Sequence, residues 1–193
     1  MSIDHLAPPV CRPEKITGTA PSASIFGLTG PVLTPEERLF FQETNPLGFI
    51  LFARNCVDPE QLRALTDSLH DLMERTVPIL IDQEGGRVQR LKAPLWTDYP
   101  PAQSFGGNVE SVKDAYQALA RELGKNGITV DCAPVLDVLF PETHDIIGNR
   151  AFGNDPETVA ACGAAACEAF LEEGIIPIIK HIPGHGRARS DSH

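Results

Sequence analysis

The sequence predicts an α/β protein built as a (β/α)8 TIM-type barrel, and three observations carry that expectation. Short apolar, β-branched runs alternate with longer stretches of helical period, the signature of repeated βα units. The runs are apolar throughout, as in parallel strands covered on both faces. Helix starts and stops fall between them at regular places.

The first strand is read at Ser24 to Leu28. Thr34-Pro35-Glu36-Glu37 then opens a helix, with Thr34 as N-cap, Pro35 at the first helical position and Glu37 closing a capping box. Gly48 to Phe52 is the second strand, and Asp58-Pro59-Glu60 repeats the cap-then-proline opening for a helix to about Arg75. Pro78 to Asp82 is the third strand. A long connection rich in Pro and Gly leads to a helix over Val109 to Asn126 that stops at Gly127. Ile128 to Val135 is the fourth strand, Asp155-Pro156-Glu157 starts the fourth helix, Gly174 ends it, and Ile175 to Lys180 is the fifth strand. A complete barrel has eight such units in about 250 residues. Five units are therefore expected to form roughly the first two-thirds of a barrel, incomplete here, with an open doubly wound sheet as the alternative. Residues 1–22 read as a Pro-rich leader and 23–193 as the barrel portion.

Composition narrows the function. The 193 residues are 42% hydrophobic and 22% charged, ordinary for a globular domain, and 26 acidic against 16 basic residues give a net charge of −10. Without a local basic patch, nucleic acid is not the expected partner. Nor is a membrane: no apolar run approaches the roughly 18 residues of a span, and Met1 to Arg12 lacks the basic flank and apolar core of a signal peptide. The five cysteines, Cys11, Cys56, Cys132, Cys162 and Cys167, form no CxxC and read as reduced, with Cys162 and Cys167 pointing apart on one helix.

Barrel chemistry gathers at the C-terminal ends of strands. After the third strand, Asp82-Gln83-Glu84-Gly85-Gly86-Arg87-Val88-Gln89-Arg90 sets acceptors and forked donors around a glycine turn. Asp82, Arg87 and Arg90 suit sugar hydroxyls or carboxylates, or else pair with one another. The pattern is not a phosphate loop. After the fifth strand, Lys180 to His193 holds Lys180, His181, His185, Asp191 and His193 on a loop turned by Gly184 and Gly186. Asp191 and His193 could form an acid/base dyad. His181, His185, Asp191 and His193 could instead ligate a metal, although no compact pair such as HExxH is present, or cap loop carbonyls.

Ile81 to Leu91 and Lys180 to His193 together resemble the signature of the NagZ-type β-N-acetylglucosaminidases of glycoside hydrolase family 3. Gly48 to Asn55, Ala133 to Val138 and Ile147 to Gly153 are similar to the same family in the same order, so the resemblance runs from about Ile25 to the last residue. Ile182 and Asn149 depart from it, standing where Phe and an acidic residue are common. The resemblance implies that Asp82, Arg90, Arg150, Lys180 and His181 bind a non-reducing N-acetylglucosamine, that His193 is the general acid/base and that Asp191 orients it. It implies a retaining mechanism with a carboxylate nucleophile on a later strand, absent from this chain, which alone is expected to be inactive. Asp137 is expected to be a structural acceptor at a strand end. No cofactor and no metal are implied. The implied partner is a small molecule, a muropeptide or other disaccharide containing N-acetylglucosamine linked to 1,6-anhydro-N-acetylmuramic acid, met in the bacterial cytoplasm during peptidoglycan recycling. A phosphorylase of the same fold and a non-catalytic sugar-binding fragment are the alternatives.

Overall fold

The computed structural model describes residues 20–191. The expected leader therefore lies outside the described residues as far as residue 19, as do Cys11, Ser192 and His193. Five strands and four α-helices alternate: β1 (Ser22–Gly27), α1 (Pro35–Thr44), β2 (Pro46–Leu51), α2 (Pro59–Met73), β3 (Ile79–Ile81), α3 (Val109–Lys125), β4 (Val130–Asp131), α4 (Pro156–Glu172) and β5 (Ile176–Pro177).

Each helix begins where a short polar side chain can accept an otherwise orphaned amide. Thr34, Asp58, Asn108 and Asp155 are the N-caps, accepting from the amides of Glu37, Gln61, Ser111 and Thr158, and Thr34 with Glu37 forms the reciprocal capping box. Such a cap contributes about 1 kcal/mol. Three of the four helices also start on proline, whose missing N–H costs nothing there.

All pairings are parallel and the spatial order is β1-β2-β3-β4-β5. A doubly wound sheet reverses its strand order partway; this one runs monotonically, as the wall of a barrel does. Register sets Leu51, Ile81, Asp131 and Pro177 side by side, and Ile50, Leu80, Val130 and Ile176 side by side. Phe49, Leu51, Ile79 and Ile81 share one core with Leu62, Leu65 and Leu69 of α2 and Leu119 and Leu123 of α3, so theirs is the helix-facing side. Side chains alternate along a strand. Asp82, two past Leu80, and Lys180, four past Ile176, therefore fall on the inner face.

Two strands are shorter than the sequence suggests. The fourth was expected over 128–135 and the fifth over 175–180, but the ladders cover Val130–Asp131 and Ile176–Pro177. The Ile178 amide still reaches the Asp131 carbonyl at 2.8 Å and the Lys180 amide the Pro134 carbonyl at 3.2 Å, so past Asp131 three residues of one segment stand against two of the other and the regular ladder is interrupted. Pairing resumes beyond the gap as a single bridge between Val135 and Lys180, with the Leu136 amide on the Lys180 carbonyl at 2.7 Å. That bridge brings the segments after β4 and β5 together. Among the described residues no helix is long and apolar enough to cross a membrane, and Cys56, Cys132, Cys162 and Cys167 are free thiols.

Candidate active site

The loop after β3 is folded on its own side chains. Gln83 is fully buried; its Oε1 accepts from the amides of Arg90 and Leu91, at 2.8 and 3.0 Å, and its Nε2 donates to the Leu91 carbonyl at 2.9 Å. The Gln83 amide donates to Asp131 Oδ1 at 3.0 Å. Gly85 sits at φ +90°, and a Cβ there would collide with the Pro100 carbonyl oxygen, so only glycine fits this turn. The result returns the chain upon itself and places Arg90 beside Asp82.

From that corner a chain of alternating charges crosses the rim. Arg90 Nη2 donates to Asp82 Oδ2 at 3.0 Å, Lys180 Nζ lies 2.9 Å from Asp82 Oδ1 and 2.5 Å from Glu84 Oε1, and Arg150 meets both Glu84 oxygens at 2.8 Å. The segments joined are 66 to 98 residues apart in sequence. Burial works against the charge of Asp82, yet Lys180 and then Arg90 outweigh it and hold the carboxyl below the ordinary carboxylate range. Burial likewise works against the Lys180 ammonium, and Glu84 and Asp82 outweigh it, raising its pKa. Arg150 is raised too, Glu84 prevailing over burial. Asp82, Lys180 and Arg150 therefore keep their charges at neutral pH. Three cations on two carboxylates leave unspent donors, and Arg90 keeps a buried Nε without a hydrogen-bond partner. Its guanidinium lies 5.9 Å from the centroid of the Phe52 ring, with Arg54 at 4.7 Å from the same ring.

Four of the five residues read from the sequence as sugar ligands thus lie on one chain, Asp82 joined directly to Arg90 and Lys180, and Arg150 joined through Glu84. The fifth, His181, follows Lys180 but turns to Asp137, with Nδ1 2.5 Å from Asp137 Oδ2. The cleft between the loops after β4 and β5 is lined by Lys180 and His181 but not by Asp82, Arg90 or Arg150. Its other walls include Leu136, Val138, Phe140, Ile179 and Ile182. A sugar needs donors and acceptors, so the ion chain, not this apolar cleft, is the surface suited to one.

Glu84 is the functional residue that sequence reading passed over. Its side chain is 4% exposed and it bridges Lys180 to Arg150. The signal was present, because Glu84 stands two residues past Asp82 and so shares its face if the strand alternation continues. Arg87, by contrast, is spent on loop structure: its Nη2 donates to the carbonyls of Asp145 and Ile146, both at 2.6 Å. Asp191 is exposed at the end of the described loop. His193 lies outside the described residues. Among the described residues no three His, Cys, Asp or Glu side chains gather as a metal cluster.

The N-terminal domain of glycosyl hydrolase family 3 matches residues 35–193. A β-hexosaminidase of Aromatoleum aromaticum is 38% identical over 177 residues, which cover 88% of this chain and 49% of that protein. Native NagZ from Neisseria gonorrhoeae superposes with a TM-score of 0.83 at 33% identity over 90% of this chain and 52% of its own. The same NagZ in complex with N-trifluoroacetyl-D-glucosamine gives 0.83 and 33%, over 90% and 53%. The chain spans about half the length of these relatives. With the family domain matching nearly all the described residues and the barrel wall shared with solved members, the chain belongs to glycoside hydrolase family 3.

Proposed function

We propose that these five βα units supply the sugar-binding part and the acid/base loop of a retaining exo-β-N-acetylglucosaminidase. The observation that carries this reading is the ion chain Arg90–Asp82–Lys180–Glu84–Arg150, a rim of fixed charges with donors to spare, drawn from three separate segments. Such a rim recognises hydroxyl groups without reorganising when they arrive. His181 completes the subsite. The neighbour that binds N-trifluoroacetyl-D-glucosamine supports the sugar class.

In this reaction His193, oriented by Asp191, gives a proton to the glycosidic oxygen while a carboxylate from outside these five units attacks the anomeric carbon, and the aglycone leaves as an alcohol. The imidazole then takes a proton from the water that attacks the glycosyl intermediate, which regenerates the carboxylate. The substrate is N-acetylglucosamine linked β-1,4 to 1,6-anhydro-N-acetylmuramic acid, cleaved in the cytoplasm during peptidoglycan recycling, and the chemistry uses no metal or cofactor.

Leaving-group protonation matters most for a poor leaving group. In a chain extended to the length of the relatives, His193→Ala is expected to lower turnover of the disaccharide by about 10²- to 10⁴-fold and glycosylation by an activated aryl glycoside much less. The 193-residue chain by itself is expected to turn over neither. Equal losses on both substrates would remove His193 from proton transfer, and a sugar phosphate appearing only with added phosphate would make the enzyme a phosphorylase.

A further inference from the structure

Asp137 was expected to be a structural acceptor, and the structure gives it more to hold than that. Its side chain has no exposed surface, and both oxygens are engaged: Oδ2 lies 2.5 Å from His181 Nδ1, and Oδ1 accepts the His185 amide at 2.5 Å. The His181 side chain remains 34% exposed, so its ring has an edge free of the carboxylate. The loop beyond is docked on the same segment. Gly186 packs so closely that a Cβ would collide with the Val138 carbonyl oxygen, Thr143 Oγ1 donates to the Gly186 carbonyl, and the His144 amide donates to the Ala188 carbonyl at 3.0 Å.

We propose that Asp137 is a positioning residue with two loads: it holds His181 in the tautomer with hydrogen on Nδ1, and it fixes the start of the loop that leads to Asp191. An ionised carboxylate only accepts, so the hydrogen between Asp137 and His181 belongs to Nδ1. A neutral ring so held has a lone pair on Nε2. That lone pair matters for the subsite proposed above. Arg90, Arg150 and Lys180 offer donors alone, and both oxygens of Asp82 already accept from cations. A sugar hydroxyl both donates and accepts, and His181 Nε2 supplies an acceptor for its hydrogen. Asparagine cannot replace Asp137, because its single oxygen meets two donors, His181 Nδ1–H and the His185 amide, and its amide nitrogen would face one of them.

The assignment of Nε2 to a sugar rests on the function proposed above; the tautomer and the loop anchor do not. The test is a long-range ¹H–¹⁵N spectrum of the 193-residue chain labelled in its imidazoles, at a pH where the His181 ring is neutral. Nδ1 is expected to be protonated and Nε2 not. In Asp137→Asn one of the two loads is expected to be lost: either the amide nitrogen faces His181 and the ring hydrogen moves to Nε2, or it faces His185 and exchange of that amide rises about tenfold or more, as for one lost buried hydrogen bond. An unprotonated Nδ1 in the unaltered protein overturns the proposal, as does a variant with the tautomer and the His185 amide unchanged. If the variant does not fold, the unaltered spectrum decides alone. Titration with N-acetylglucosamine separates the two readings. An Nδ1–H ring whose Nε2 ignores the sugar retires His181 as a sugar ligand and leaves Asp137 in place, whereas the opposite tautomer with a sugar response retires Asp137 and keeps the subsite.

Discussion

The loops after β3 and β5 carry the site between them and are built in opposite ways. Residues 82–91 are held from within: Gln83, Glu84, Gln89 and Leu91 are buried, and Gln83 closes the turn with its own amide group. Residues 181–191 are largely exposed and are held from outside, by Asp137, Thr143 and His144 of the preceding loop. Rigid recognition thus sits beside a segment that depends on a few anchors. Under the function proposed above, the first loop would bind sugar with geometry fixed in advance, and the second, which would deliver the proton, would belong to the less stable part of the fold.

The largest expected effect comes from breaking the rigid side. Glu84→Ala leaves Lys180 and Arg150 short of a buried partner, and the expected loss is about 3–5 kcal/mol of unfolding free energy in a urea titration. Glu84→Gln, which keeps hydrogen-bond acceptance without the charge, is expected to lose less. A loss in Glu84→Ala no greater than that of an exposed substitution such as Arg189→Ala would mean the two loops are equally tolerant.

A smaller effect lies under the same loop. Burial pushes the Asp131 carboxyl well above the ordinary carboxylate range, against its hydrogen bond from Gln83 and the nearby Lys180. With the folded pKa above the unfolded one, the Asp131 contribution to stability is fully present below the unfolded value and is lost as pH rises through the folded one. Asp131→Asn keeps an acceptor for the Gln83 amide and removes that dependence, so thermal unfolding is expected to shift upward at neutral pH and to flatten with pH. Asp131→Leu leaves the buried amide unpaired and is expected to cost about 1–3 kcal/mol. Asp82 has the opposite sign. Its depressed pKa gives stability that is present above its unfolded value and disappears as pH falls through the folded one, when Arg90 and Lys180 lose their partner.

The smallest effect is on the other loop. Thr143→Val removes the hydroxyl that bonds the Gly186 carbonyl and is expected to cost about 1 kcal/mol, while hydrogen exchange over residues 186–191 quickens and exchange over 82–91 stays as it was. Equal quickening in both loops would show that they open together.

Much of this was legible because caps and strand runs are local. Thr34, Asp58 and Asp155 announce their helices within four residues, and the caps form as read. The monotonic strand order was less accessible, since alternation alone fits a barrel and a doubly wound sheet equally. The strand ends were misread beyond Asp131 and Pro177, where hydrophobic character continues but the two segments fall out of register. Within the site, residue types and strand-end positions pointed to Asp82, Arg90 and Lys180, and also to Arg87, which serves the loop instead; Arg150 came from the family resemblance. Pairing was not visible: nothing in the chain says that Glu84 will meet both Lys180 and Arg150, or that His181 will turn to Asp137, because those contacts depend on how neighbouring strands close the rim.

The central claim, that the charged rim is an N-acetylglucosamine subsite, is tested most directly by titrating N-acetylglucosamine into the ¹⁵N-labelled chain and into Asp82→Ala. Saturable shifts are expected at residues 82, 90, 150, 180 and 181 of the unaltered protein, with binding at least about tenfold weaker once Asp82 is gone, in keeping with a lost charge-assisted hydrogen bond of about 1.5–3 kcal/mol. Shifts confined to other residues, or identical affinity in Asp82→Ala, would contradict it.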